Sequence, residues 1–184
     1  MPSTTRRRLV FTATSLSALA AGGWLARKRL QPRSAAPTSS ASPSAVPDTL
    51  WTQAFDTPDG GRLQLSTHRG HPIVLNFWAT WCPPCVKELP TLDRFHREFS
   101  PRGWQVIGLA IDSPTPVREF LAKTPVAFPV GLAGLGGTEL SQALGNHQGG
   151  LPFTVVLGAD GQVKGRKLGP CEFADLTGWA QQIT

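Results

Sequence analysis

Two cysteines separated by two prolines lie between two segments of different periodicity, in the run Cys82-Pro83-Pro84-Cys85. The segment Ile73 to Phe77 before them is apolar and contains β-branched residues, which indicates a buried central strand. After them, apolar residues recur at spacings of three and four up to Phe99, which predicts a helix that begins at 82–86. The cysteine pair therefore lies where a strand passes into a helix, and this junction restricts the chain to folds that combine the two.

The position of the pair at the start of a helix favours thiol chemistry. Unpaired backbone N–H groups and the helix dipole stabilise a thiolate there, so we expect Cys82 to be exposed and readily ionised, and to act as the nucleophile. Cys85, one turn later and deeper, would resolve a mixed disulfide by attacking the Cys82 sulfur. The alternative is half of a zinc site, which needs a second cysteine pair or histidines at ligand spacing. Only Cys171 remains and the histidines are scattered, so the sequence predicts a redox pair and no metal.

The rest of the chain after residue 48 alternates between strand and helix patterns. Ala159-Asp160-Gly161 is a hairpin signal between two apolar segments. The order of the elements predicts an α/β sandwich with a mixed sheet. The predicted elements are strands at 63–65, 104–111, 153–157 and 162–168, and helices at 116–123, 138–144 and 173–183.

The first 33 residues differ in charge from the rest of the chain. They carry seven basic residues and no acidic one, whereas the remainder has 11 basic and 12 acidic residues. The net charge of +6 therefore comes from the leader, and the sequence predicts no nucleic-acid binding. Residues 1–30 are typical of a signal peptide, loosely of the twin-arginine kind, or of an uncleaved membrane anchor. Residues 31–47, rich in Pro, Ser and Ala, predict a flexible linker, and we expect the folded domain over 48–184.

The cysteine junction resembles a known family once its neighbours are included. The chain resembles the TlpA/ResA branch of the thioredoxin superfamily in the run Asn76-Phe77-Trp78-Ala79-Thr80-Trp81-Cys82-Pro83-Pro84-Cys85, in Glu88-Leu89-Pro90 and in Gly150-Leu151-Pro152-Phe153-Thr154. The resemblance covers nearly everything from residue 48 onward. It implies a thioredoxin-like three-layer α/β sandwich with a mixed central sheet, in a protein that is exported and often held at the membrane.

The resemblance also implies roles for residues beyond the cysteines. Pro152 matches a cis-proline that faces the cysteines, and the backbone of Leu151 before it would pair with a substrate strand. Glu88 matches a glutamate that tunes cysteine acidity and relays a proton. The alternative for Pro152 is an ordinary trans proline, and the alternative for Glu88 is an exposed helix glutamate. Asn76 departs from thioredoxins, which carry a buried aspartate there, so more of the proton chemistry falls on Glu88 or on water.

Four further residues near the motif have roles suggested by their positions. Trp81 is predicted to shield the disulfide and to offer an apolar docking surface, whereas Trp78 is equally compatible with the core. Asp112, at the end of a predicted strand, is expected to act as a strand-end cap, with a catalytic role as the alternative. Cys171 lies outside the family pattern, and it is interpreted as a bystander thiol, with a second redox thiol or an intermolecular link as the alternative.

These features predict an enzyme that reduces disulfides in exported proteins through the Cys82–Cys85 dithiol and uses no cofactor. Its electrons would come from a membrane electron donor protein, and its substrates would be protein disulfides. The domain is expected to be monomeric at the periplasmic or extracytoplasmic face of the membrane, where its leader would contact the bilayer. The alternatives are a protein disulfide oxidase, a copper metallochaperone with His147 as a ligand, and a peroxide reductase.

Overall fold

The apolar run that was predicted as a central strand is fully buried and occupies the middle of a seven-stranded mixed sheet. The computed structural model describes residues 46–183. The strand order is β2-β1-β5-β4-β3-β6-β7, in which β3 pairs parallel with β4 and antiparallel with β6. The strands are β1 (Ala54–Asp56), β2 (Arg62–Gln64), β3 (Ile73–Trp78), β4 (Gln105–Ala110), β5 (Val130–Leu132), β6 (Phe153–Leu157) and β7 (Val163–Leu168). The helices are α1 (Pro83–Phe99), α2 (Pro114–Lys123), α3 (Gly136–Ala143) and α4 (Phe173–Gln182).

The alternation of side chains along the strands divides the core into two layers, one on each face of the sheet. Because successive residues of a strand point to opposite faces, Val74 and Trp78 of β3 contact one layer, whereas Leu75 and Phe77 contact the other. The first layer contains the apolar faces of α1, α2 and α4, and the second contains Leu144 at the end of α3. Helices on both faces of a mixed sheet confirm the expected three-layer α/β sandwich.

The elements predicted from the sequence are present, and several of them have shifted ends. Helices α2 and α3 each begin two residues earlier than expected, at Pro114 and Gly136. The hairpin between β6 and β7 is formed, and Gly161 in its turn has a φ of 72°. Strands β1 and β5, of three residues each, were not predicted.

The predicted signal peptide or anchor over 1–30, and the predicted linker over 31–47 apart from its last two residues, lie outside the described part of the chain. Within residues 46–183, no helix combines the length and the apolar character that crossing a membrane requires.

The strand register places three segments at the same end of the central strands: the cysteine junction after β3, the segment after β4 and the segment before β6. Strand β3 ends at Trp78, a few residues before the cysteines, and Trp78 pairs with Ala110 at the end of β4. Strand β6 runs in the opposite direction, so its first residue, Phe153, pairs with Phe77 near that same end. Pro152, directly before Phe153, and Asp112, shortly after Ala110, therefore approach the cysteine junction although they are distant from it in sequence.

Candidate active site

Cys82 and Cys85 are joined by a disulfide bond, with their Cα atoms 5.3 Å apart. Cys82 is the N-cap of α1, and its carbonyl oxygen accepts a hydrogen bond from the Val86 N–H at 3.1 Å. Pro83 and Pro84 begin the helix, where their missing N–H groups remove no helical hydrogen bond. The disulfide thus bridges the cap and the first turn of a helix, as the spacing predicted.

The expectation that Cys82 is exposed is wrong for this disulfide form of the protein. Only 4 % of Cys82 is accessible, and Cys85 is completely buried. The cause is the bond itself, since it ties the Cys82 side chain to a residue in the interior of the helix–sheet layer. Cys82 is nevertheless the more accessible of the two residues.

The loop that leads into the disulfide is held by Asp112. One carboxylate oxygen of Asp112 accepts hydrogen bonds from the Thr80 backbone N–H at 2.9 Å and from the Thr80 hydroxyl at 2.5 Å. The other oxygen accepts from the Ser113 N–H at 2.7 Å. Asp112 therefore caps the end of β4, as expected, and fixes the backbone two residues before Cys82.

Glu88 lies on the same helix as Cys85, three residues after it, and is buried. Only 2 % of Glu88 is accessible, so the alternative of an exposed helix glutamate is excluded. Its Oε1 atom accepts a hydrogen bond from Nδ2 of Asn76 at 2.7 Å, and its Oε2 atom accepts one from the Cys171 backbone N–H at 2.8 Å. Burial raises the pKa of Glu88 from 4.5 to about 7, although these two hydrogen bonds act in the opposite direction.

Asn76 completes this polar cluster in a way that its sequence position alone did not indicate. The Nδ2 group of Asn76 also donates to the Thr154 hydroxyl on the adjacent strand β6 at 3.0 Å. An amide donates to the Glu88 carboxylate, whereas a second carboxylate in this position would repel it. The sequence did contain one indication that Asn76 is buried. It is the polar residue within the apolar run from Ile73 to Phe77, and alternation places it on the same face of the strand as Val74 and Trp78.

Cys171 is a free, buried thiol beside the same cluster, with 2 % of its surface accessible. Burial raises the pKa of the Cys171 thiol from 9.0 to about 11, and the negative charge of Glu88 acts in the same direction. A thiol that ionises so weakly is a poor nucleophile at neutral pH, which favours the bystander interpretation. Its backbone N–H, by contrast, is a direct partner of Glu88.

The peptide bond between Leu151 and Pro152 is cis, as the resemblance implied. Leu151 is half-buried, and the Pro152 carbonyl oxygen accepts a hydrogen bond from the Gly169 N–H at 2.8 Å. Trp81, next to Cys82, is 65 % exposed. Trp78 is completely buried and packs against Phe120, so it belongs to the core.

His147, the histidine considered as a copper ligand, is exposed. Among the residues that the structure describes, no group of three or more His, Cys, Asp or Glu side chains is arranged to hold a metal ion.

Comparisons with known proteins agree with this geometry. The Redoxin family model matches residues 34–178. A thiol-disulfide oxidoreductase ResA of Bacillus cereus is 30% identical over 128 residues, which are 68% of this chain and 71% of that protein. ResA of Bacillus subtilis is 31% identical over 110 residues, or 59% of each chain. A thioredoxin-family thiol:disulfide interchange protein from Chlorobium tepidum TLS superposes with a TM-score of 0.65 and 27% identity, over 77% of this chain and 96% of that one.

A thioredoxin-like sheet that carries a Cys-X-X-Cys disulfide at the start of a helix defines the class of thiol–disulfide oxidoreductases. The chain belongs to the Redoxin family, and it is a thiol–disulfide oxidoreductase of the ResA/TlpA type within the thioredoxin superfamily.

Proposed function

We propose that this oxidoreductase reduces disulfide bonds in client proteins outside the cytoplasm. The Cys82 thiolate attacks one sulfur of the client disulfide, so that a mixed disulfide forms and the other client sulfur leaves as a thiolate. The Cys85 thiolate then attacks the Cys82 sulfur, which releases the client as a dithiol. Two electrons pass to the client, and the enzyme is left with the Cys82–Cys85 disulfide of this structure.

The observation that carries the direction of electron flow is the buried Glu88 carboxyl. Glu88 lies three residues after Cys85 on α1, so the two side chains occupy neighbouring positions on one face of the helix. Both are buried, and an ionised carboxylate in this position disfavours a thiolate next to it. Lys167, whose charge also acts on Glu88, is paired with Asp175. A dithiol whose thiolate is not stabilised gives up its electrons readily, which favours a reductase over an oxidase.

The other residues have supporting roles in this proposal. Glu88, with a pKa of about 7, exchanges a proton with the Cys85 thiol as the disulfide opens and closes. The Leu151 backbone before Pro152 pairs with an extended client segment, and the exposed ring of Trp81 packs against it.

The proposal includes the place and the partners of the enzyme. The basic and apolar leader over 1–30 directs export and contacts the membrane, residues 31–47 form a tether, and the domain over 48–184 acts as a monomer. A membrane protein with a reduced dithiol supplies two electrons to the Cys82–Cys85 disulfide after each turnover. The comparison with ResA-type relatives supports protein disulfides as the substrate class.

The reduction potential of the Cys82–Cys85 couple tests the direction. We expect a value below about −230 mV in redox buffers, near those of the reducing thioredoxins. A Cys171→Ser variant should give the same potential, because the Cys171 thiol is outside the disulfide and its backbone N–H is retained. A potential between about −180 and −120 mV, the range of disulfide isomerases and oxidases, would contradict a reductase.

A further inference from the structure

An open groove of about 500 Å³ lies beside the active-site loop. Trp81, which precedes Cys82, forms part of its wall, and Leu151, which precedes Pro152, forms another part. The segment after β4, from Ile111 to Pro114, and the loop between β5 and α3 contribute further parts of the lining. This groove, which we call the Trp81–Leu135 groove, is lined by Trp81, Ile111, Asp112, Leu135, Thr138 and Leu151, among others.

Three of the glycines in and beside this loop are explained by the fold. A side chain at Gly131 would come within 2.9 Å of Phe55, and one at Gly137 would come within 2.9 Å of Ile111. Gly134 has a φ of 52°, in the left-handed region that favours glycine. Three of the four glycines in segment 131–137 are therefore explained by the fold.

Leu135, in the middle of this segment, is not explained in the same way. Its side chain is 88 % exposed, the highest value among the exposed large apolar residues of the described chain. It is also the N-cap residue of α3, and its side chain makes no capping hydrogen bond. Leucine is among the poorest N-cap residues, whereas Ser, Thr, Asp and Asn are favoured. Neither packing nor helix stability therefore accounts for a leucine here.

The groove has the character of an apolar binding surface. Two of the three exposed large apolar residues of the described chain, Trp81 and Leu135, line it. Asp112 is the one ionisable residue among those lining it. Both oxygens of the Asp112 carboxylate already accept hydrogen bonds from its own loop and from Thr80. The lining thus offers no uncommitted charge to a ligand, and it exposes the kind of surface that proteins keep for contacts with partners.

We propose that the Trp81–Leu135 groove binds an apolar side chain of the client polypeptide close to the cysteine that Cys82 attacks, and that Leu135 sets this preference. The inference rests on the proposed function, because the client must be covalently attached to Cys82 during turnover. Trp81 is adjacent to Cys82 in the chain and forms part of the groove. A client residue one or two positions from the attacked cysteine, at about 3.3 Å per residue, can therefore reach the groove.

Single-turnover reduction of two matched peptides tests this proposal. Each peptide carries one cysteine in a mixed disulfide with nitrothiobenzoate, flanked by leucine in one peptide and by serine in the other. Attack of Cys82 on the peptide sulfur releases the coloured thiolate, and the full chain, reduced beforehand and freed of reductant, supplies both electrons. We expect the leucine peptide to react about 10-fold faster in the wild type. In Leu135→Ser the ratio should fall to roughly 3-fold or less, while the rate with hydroxyethyl disulfide stays unchanged.

Leu135→Ser should fold well, because serine is a favoured N-cap, and thermal unfolding checks this. The matched control is Leu168→Ser, which removes an exposed leucine of β7 that does not line the groove and should keep the wild-type ratio. An unchanged ratio in Leu135→Ser, or an equal fall in both variants, would overturn the proposal. A wild-type dimer that Leu135→Ser dissociates would also overturn it, because a second copy would then cover the groove.

Failure of the proposed function gives a different result. If the reduced wild type reacts with neither peptide nor with hydroxyethyl disulfide, the reductase function fails, and the groove proposal falls with it. If the wild type reduces both peptides at the same rate, the reductase function is supported and the groove proposal alone is refuted.

Discussion

Replacing Glu88 with glutamine is expected to remove a large pH-dependent part of the stability of the oxidised protein. The carboxyl is 2 % accessible, and burial raises its pKa from 4.5 to about 7. The folded protein therefore keeps the Glu88 proton up to about pH 7, whereas the unfolded chain releases it near pH 4.5. The folded state is favoured in acid, and this contribution is lost as the pH rises through that window.

The size of the effect follows from the two pKa values. Their separation corresponds to about 3 kcal/mol over the full window, of which about 2 to 3 kcal/mol is lost between pH 5 and pH 8. Glutamine carries no charge, so Glu88→Gln should lack this loss. His68 and His96, whose pKa values burial lowers, contribute stability as the pH rises. They are present in both proteins, so the difference between the two stability curves isolates Glu88.

Urea unfolding of the oxidised wild type and Glu88→Gln at pH 5, 6, 7 and 8 measures this difference. Relative to the wild type, the variant should gain about 2 to 3 kcal/mol of unfolding free energy from pH 5 to pH 8. Glu98→Gln is the matched control, because Glu98 is on the same helix but its side chain is 45% exposed and paired with Arg94. The difference in unfolding free energy between Glu98→Gln and the wild type should change by no more than about 0.5 kcal/mol from pH 5 to pH 8. A flat difference curve for Glu88→Gln would refute the assignment of a buried, weakly acidic carboxyl.

Two further predictions concern Cys171 and two glycines. In the reduced native protein, iodoacetamide at pH 8 should leave Cys171 unmodified, because its pKa is raised to about 11, and mass spectrometry should detect its alkylation only in denaturant. Gly108→Ala should destabilise the fold by about 1 to 3 kcal/mol, since the new methyl group would approach Phe128 within 2.9 Å. Gly178 is in α4 with open space around it, so Gly178→Ala should instead stabilise the protein by about 1 kcal/mol. Equal shifts of the unfolding curves of Gly108→Ala and Gly178→Ala would contradict this packing.

Local features of the sequence were enough to predict the core of the fold. The run from Ile73 had the apolar character of a central strand, and β3 is that strand. The three-and-four spacing up to Phe99 predicted α1, which ends at that residue. The two-residue spacing of Cys82 and Cys85 at a helix start predicted their pairing, because one helical turn brings such residues together. The cis bond before Pro152 came from the family resemblance, since no local pattern distinguishes it from a trans proline.

The polar cluster around Glu88 could not be assembled from the sequence. Its hydrogen bonds join Asn76 to Glu88 across 12 residues, Asn76 to Thr154 across 78, and Glu88 to Cys171 across 83. Each residue alone is compatible with several roles, and an isolated glutamate on a helix is usually exposed. The same limit applies to Leu135, whose exposure depends on how the loop after β5 packs.

The sequence by itself determined the chemistry that this protein can perform and the local elements that present it. Periodicity and spacing act over a few residues, so they placed two thiols at the start of a helix that follows a buried strand. Only the tertiary structure decided the environment of that chemistry, namely a glutamate whose pKa is about 7, a shielded third thiol and an apolar groove beside Trp81. The physical reason is that ionisation and exposure depend on which distant segments exclude water from a side chain, and packing alone brings those segments together.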